Sequence, residues 1–422
     1  MERSLARGAI GLLAGLALVL VFPSSAKVQR YFGTLWVPAL VTGVLLGLWV
    51  GFRYITPAVW RRITERTALL LAALTVVVLI VLFALVYPLV NSGVVGEGSD
   101  RDEALNVGTG ELLHGRYPYR VLAVSGQNTP APEWDPRGSP ISPMPGALLF
   151  AVPFFLLGDA SYQSFFWLIV FFLTARTCFR DGRLALLSLW ALLFLCPVSL
   201  HEVMTGGDLL ANSLWVFVLT VFLIRCVSRP AAGFGVQLLS AVLFGLGMSS
   251  RANFLLIGPL VLSTLIRRAG WKPAVRFMAL SALVCAAVTL PFYLYDPAHF
   301  TPLRAYGKLA RFESILPHAG VVVPALGMLL SAALSFQRMD AKGVVLFRNC
   351  AIVLAWPVVW AVVLSSVSVG GLELGKFAWY GLSFVPFGMM ACLAPLFERA
   401  VGRAPDGFLC CRRPSDAPPG PA

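Results

Sequence analysis

From Ala68 to Val90 the chain runs without one charged side chain, and runs of this kind recur along its length. About 20 apolar residues in a helix cross the roughly 30 Å of bilayer hydrocarbon. Only helices and closed barrels satisfy their backbone hydrogen bonds there, and the runs are too long and too uniformly apolar for barrel strands. Composition agrees. The hydrophobic share is 58 % and the charged share 13 %, whereas a surface facing water carries roughly a quarter or more of charged residues. The expected fold is an all-α polytopic integral membrane protein. The net charge of +13 then reports topology first, and a nucleic-acid partner is not expected.

Twelve spans are expected, at 8–22, 35–52, 68–90, 160–176, 184–200, 209–225, 234–249, 253–266, 277–293, 319–336, 349–368 and 377–396. The apolar stretch 144–157 is left out, being short and bracketed by Pro143, Pro145, Pro153 and Gly158. With the N-terminus inside, this choice puts 22 of the 33 basic residues on the inner side and 13 of the 20 acids outside. Counting 144–157 as a span would invert every later loop and move the Arg-rich turns outside, against the positive-inside rule. It therefore reads as a half-helix on the outer face. The division is a two-helix hairpin at 1–67, a main membrane domain at 68–400 with an outer loop at 91–159, and a Pro-rich cytoplasmic tail at 401–422. Arg3, Arg7, the apolar run to Phe22 and Ser24-Ser25-Ala26 resemble a signal peptide; an uncleaved first helix is favoured, and either reading leaves the later topology unchanged. All eight cysteines fall in spans or inside, so no outer-loop disulfide is expected.

The chemistry is expected in the outer loop. Residues 102–114 read as a helix capped by Asp100 or Asp102 and stopped by Gly115. Asp100, Asp102 and Glu103 crowd together where span 68–90 leaves the membrane; like charges at a low-dielectric rim raise one another's pKa, which suits a general base. The bland reading is helix capping in a solvated acidic loop. Arg304, Lys308 and Arg311 follow at i, i+4 and i+7, a stripe that could hold a phosphate headgroup or merely snorkel at the surface. Lys376 and Arg251 are further candidates, and an Arg near membrane depth calls for a partner. His201, Glu202 and Asp208 share an outer turn, but four histidines without paired spacing argue against a metal. Neither a phosphate loop, a dinucleotide fingerprint nor a Ser-His-Asp signature is present.

In order along the chain, the acids Asp100, Asp102 and Glu103 precede Leu112-Leu113-His114-Gly115-Arg116-Tyr117-Pro118-Tyr119, and then Ser139-Pro140-Ile141-Ser142-Pro143-Met144-Pro145. This order resembles the polyprenyl-phosphate-sugar-dependent glycosyltransferases of the GT-C fold, most closely glycosyltransferase family 87 and its mannosyltransferase-like relatives. The resemblance covers 91–225 clearly and the remainder by hydropathy alone. It departs from the family in the hairpin preceding the loop and in a Ser-Pro where the family has Pro-Pro. It implies an acidic catalytic residue (Asp102 or Asp100, with Glu103 beside them), substrate contacts from Tyr117 and Tyr119, and a juxtamembrane helix at 144–157; Asp208 and the cations named above are further candidate substrate contacts read from the residues themselves.

The expected activity is transfer of a mannose-like sugar from a polyprenyl-phosphate donor to a lipid or glycan acceptor, at the outer face of the cytoplasmic membrane. No cofactor is expected, although a divalent metal stays open; membrane lipids are the other partners. The alternative is a twelve-helix transporter or lipid flippase. Against it stand the short inner segment 226–233, where such proteins carry a long central loop, and the scarcity of charges within the spans.

Overall fold

The computed structural model describes residues 2–92, 101–229, 231–303, 308–338, 340 and 343–401. Its elements in order are helices α1 (Glu2–Phe32), α2 (Trp36–Val50), α3 (Thr56–Arg62), α4 (Glu65–Asn91) and α5 (Arg101–Leu113), then strands β1 (Leu122–Val124), β2 (Gln127–Ala131) and β3 (Ser139–Pro140). Helices α6 (Pro145–Leu156), α7 (Gln163–Phe179), α8 (Gly182–Phe194), α9 (Pro197–Met204), α10 (Leu209–Val227), α11 (Phe234–Met248), α12 (Gly258–Ala269) and α13 (Trp271–Tyr295) follow. The chain closes with α14 (Ala319–Ser335), α15 (Val344–Val369) and α16 (Val385–Val401).

Eight helices among the described residues are long and apolar enough to cross a membrane, or nine if a bent pair counts as one span. The chain is thus a helical multi-pass membrane protein. Three shorter apolar helices, Ile10–Ser25, Phe234–Met248 and Ala319–Ser335, coincide with further expected spans, and Pro145–Leu156 with the expected half-helix.

The expected span 184–200 is corrected. It breaks at Cys196-Pro197 into α8 and α9, which meet at 79°. Pro197 has no N–H to continue the ladder and disfavours the helical region at the residue before it; Cys196 accordingly sits at φ −122°, ψ 81°. Elsewhere the ends obey local chemistry. Thr64 Oγ1 accepts from Thr67 N at 3.1 Å to start α4, and Asp181 Oδ1 accepts from Arg183 N at 2.8 Å to start α8.

Burial sorts the bundle into centre and rim. In α10 the most apolar window is 89 % buried, and in Ala378–Arg399 it is 83 % buried, against 22 % in α4 and 11 % in α13. Trp215 and Phe217 of α10 and Phe387 of α16 have no exposure. The rim helices turn leucine and valine outward, among them Leu70, Leu74 and Leu85, which is stable only in lipid. The site described next is built where the two central helices begin.

The segment from α5 to α6 is ordered by its own packing. Gly115 ends α5 at φ +70°, with Arg116 N donating to Glu111 O and Gly115 N to Leu112 O, a Schellman cap. The sheet, in the order β2-β1-β3 and antiparallel throughout, was not legible in the sequence. At Gly108 of α5 a Cβ would come within 2.9 Å of Leu148 of α6, so the missing side chain permits that close contact.

Candidate functional site

Helix α5 carries three charged residues in its first turn, and all three are buried: Arg101, Asp102 and Glu103. Consecutive helical positions point about 100° apart, so the three part company. Arg101 faces one polar cluster, while Asp102 and Glu103 join another.

The acid cluster lies against the C-terminal end of α4. Tyr87 donates its hydroxyl to Asp102 Oδ2 at 2.5 Å, and the same hydroxyl lies 3.0 Å from Asp159 Oδ2. Asn91 Nδ2 donates to Asp102 at 3.3 Å. Glu103 Oε1 accepts from the Gly126 N–H at 2.7 Å, tying α5 to the turn between β1 and β2. Asp102 and Glu103 are near enough for each to shift the other's titration, so their protons come off as a pair. Burial raises Asp102 above the usual carboxylate range, against hydrogen bonds from Glu103 and Tyr87 that lower it. Burial, followed by the neighbouring Asp102, pushes Glu103 up to about 9.

The cation cluster lies on the other side. The Arg101 guanidinium covers the Trp379 ring at 3.8 Å and lies 5.1 Å from the Tyr380 ring centroid. It is 3.8 Å from Glu202 Oε1 and 3.9 Å from Asp208 Oδ1. Asp208 immediately precedes α10, where Asn212 Nδ2 donates to it at 2.8 Å. Arg251 also donates to Asp208, so the arginine expected to need a partner has one. Arg251 is held in turn by α6: Met144 N and Gly146 N donate to the carbonyls of Ser250 and Ser249 at 3.2 and 3.0 Å. A Cβ on Gly146 would fall 2.3 Å from Leu246 O, so this junction admits only glycine. Lys308 Nζ donates to Tyr380 Oη at 3.0 Å.

Arg101, Arg251 and Lys308 line one cavity of about 570 Å³, and among the described residues no carboxylate lines it with them. Its polar wall adds Asn212, Ser213 and Ser383; its apolar wall adds Pro357, Val358 and Ala361 from the span α15. A polar head and an apolar tail thus find walls in a single chamber.

The sequence candidates divide accordingly. Arg251 and Lys308 line the cavity, and Asp208 positions Arg251 from behind it. Asp102 and Glu103 adjoin the cavity's helix but do not line it. Tyr117 and Tyr119 do not line it either: Tyr117 Oη donates toward Phe292 O at 2.9 Å and Asp296 O at 3.2 Å, and Tyr119 Oη donates to Pro143 O at 3.1 Å. They fasten the loop to the end of α13 and to the start of α6. Arg311 and Lys376 are exposed and outside the cavity lining. Asp100 and Arg304 lie outside the described residues. No group of three or more His, Cys, Asp or Glu side chains among the described residues is arranged to hold a metal. Sequence reasoning passed over Arg101, Trp379 and Tyr380. Arg101 is flanked by the candidate acids, and that placement was the available signal. The chain matches no family model, no curated protein and no solved structure.

Proposed function

We propose that the protein is a membrane glycosyltransferase that moves a sugar from a polyprenyl-phosphate donor to a lipid or glycan acceptor. The observation that carries this reading is the cavity of Arg101, Arg251 and Lys308, with an apolar wall from a membrane span and Asp100 peptide-bonded to its Arg101. Such a chamber suits an amphipathic anion.

In this reading the donor phosphate lies among the three cations and its isoprenoid chain runs along α15. The Asp100 carboxylate takes the proton from an acceptor hydroxyl. That oxygen attacks the anomeric carbon from the face opposite the phosphate, a new C–O bond forms, and the C–O bond to the lipid phosphate breaks. The leaving phosphate keeps the electron pair, and the anomeric configuration inverts. Cations aimed at a charge that develops in the transition state are worth more in a dry site than in water. Asp102 and Glu103, through Tyr87, Asn91 and the Gly126 N–H, hold the first turn of the helix in place. Twelve crossings, both termini inside, a GT-C fold and an active site on the outer face of the cytoplasmic membrane belong to the same proposal.

The test supplies radiolabelled polyprenyl-phosphate mannose, glucose or arabinose to membranes containing the protein or its Arg251→Gln variant. Label should move to a lipid or glycan fraction with the protein and fall by about 10²–10³ with the variant, as when one preorganised donor is lost. One observation favours a second reading: the span broken at Pro197 ends beside Asp208 and Glu202, and broken helices mark transporter sites. Counter-transport of lipid-linked sugar in sealed vesicles without transfer would establish it.

A further inference from the structure

The N-terminal hairpin carries a second concavity, remote in sequence from the first. It is a groove of about 310 Å³ lined by Leu13 of α1, Leu45, Leu48 and Trp49 of α2, and Phe52 and Arg53. Phe52 and Arg53 belong to a π-helical turn, Gly51–Ile55, inserted between α2 and α3. π-turns are uncommon and concentrate at functional positions. This one places a guanidinium at the end of an otherwise apolar channel.

No carboxylate among the described residues pairs with that guanidinium. Between Glu2 and Glu65 the sequence contains no acid, and among the described residues Arg53 forms no ion pair; the Tyr54 ring lies 5.7 Å away. Phe52 is anchored inward by Phe397 of α16, with ring centroids 6.0 Å apart. Trp49 and Tyr54 pack edge to face at 5.4 Å and are both more than half exposed. Paired exposed aromatics beside an arginine at a helix end are the composition of a membrane interface. Apolar walls ask for a hydrocarbon chain, and the lone cation asks for an anion at its end.

We propose that this groove is a binding site for an anionic phospholipid. One acyl chain lies along Leu13, Leu45 and Leu48, and the headgroup phosphate pairs with Arg53 in the leaflet that the Arg53 end of α2 meets. The occupant is a membrane lipid and not a soluble phosphate, because five of the six lining side chains are apolar. The site does not depend on the activity proposed above.

The test uses the full-length protein in nanodiscs of phosphatidylcholine containing phospholipid brominated on its acyl chains, with either a phosphatidylglycerol or a phosphatidylcholine headgroup. The fluorescence lost between the protein and its Trp49→Phe variant isolates Trp49. Brominated phosphatidylglycerol should quench Trp49 at about a fivefold lower mole fraction than brominated phosphatidylcholine, the preference one basic side chain confers at an anionic surface. Arg53→Gln should abolish the preference and Arg53→Lys should keep most of it. Arg61→Gln, which removes an exposed charge outside the groove, should leave it intact. Leu45→Phe, which narrows the channel with Arg53 in place, should weaken quenching by both lipids. Equal quenching of the wild type by the two lipids would overturn the proposal. So would a preference that survives Arg53→Gln, or one that Arg61→Gln removes equally.

Discussion

Arg101 lies 3.8 Å above the indole ring of Trp379, with its guanidinium also facing Glu202 and Asp208. The stack joins the first turn of α5 to the start of the last span, and it puts a cation on the wall of the large cavity. Buried arginines keep their charge and stack on aromatic faces where lysine would not. Trp379→Leu should therefore loosen the cavity wall without altering any charge. Sugar transfer should fall by at least tenfold while the protein accumulates normally, measured as initial rates at equal protein in membranes. An unchanged rate would remove the stack from the site.

Lys308 offers the cleanest single charge. It is half-buried and its bonded partner is the Tyr380 hydroxyl, so its removal leaves no carboxylate unpaired. Lys308→Gln should lower kcat/KM for the lipid-linked donor by about 10²-fold with little change in thermal stability. Arg311→Gln, at an exposed position outside the cavity, should leave kcat/KM within about twofold. Equal losses in both would mean that the outer surface, and not the cavity, attracts the donor.

The raised pKa of buried Glu103 makes stability depend on pH. Glu103 is raised to about 9 in the folded protein from 4.5. A raised carboxyl contributes stability that is fully present below its unfolded pKa and is lost as pH rises through its folded pKa. The Tm in detergent should thus decline between pH 5 and pH 9, with a slope of at most about 1.4 kcal/mol per pH unit for one proton. Glu103→Gln should flatten that decline, since an amide holds its hydrogen bonds without titrating. A wild-type Tm constant across this range would show that Glu103 is not raised in the folded protein.

Gly206 backs the same cluster. Its φ is +73°, and a Cβ there would lie 2.8 Å from Tyr87 and 3.0 Å from Asp102 Oδ2. Gly206→Ala combines a left-handed backbone with a collision between rigid groups and should cost about 1–3 kcal/mol. Thermal unfolding of purified protein measures it; an unchanged Tm would mean that the turn relaxes freely.

Period and charge made most of the helices readable, because a bilayer demands long apolar runs and sorts arginine by side. The cap at Gly115 and the half-helix at 145–156 were readable for local reasons, a left-handed glycine and bracketing prolines. The bend at Pro197 was in the sequence but was masked by the hydrophobicity on both sides of it. The strands at 122–140 had no alternating pattern long enough to see. The site was half legible: Arg251 needed an acid, but only the fold selects Asp208, 43 residues earlier. Neighbours on one helix turn, Arg101 and Asp102, look equivalent in sequence and face opposite clusters in space.

The most direct test compares the two aspartates that flank Arg101 in the sequence. Initial rates of sugar transfer from radiolabelled polyprenyl-phosphate donors would be compared for the wild type, Asp100→Asn and Asp102→Asn in membranes containing native acceptors. Asp100→Asn should lower the rate by about 10²-fold or more, as loss of a general base does. Asp102→Asn, hidden behind Tyr87, should retain it within about tenfold. Full activity of Asp100→Asn, or a donor that no protein consumes, would contradict the account.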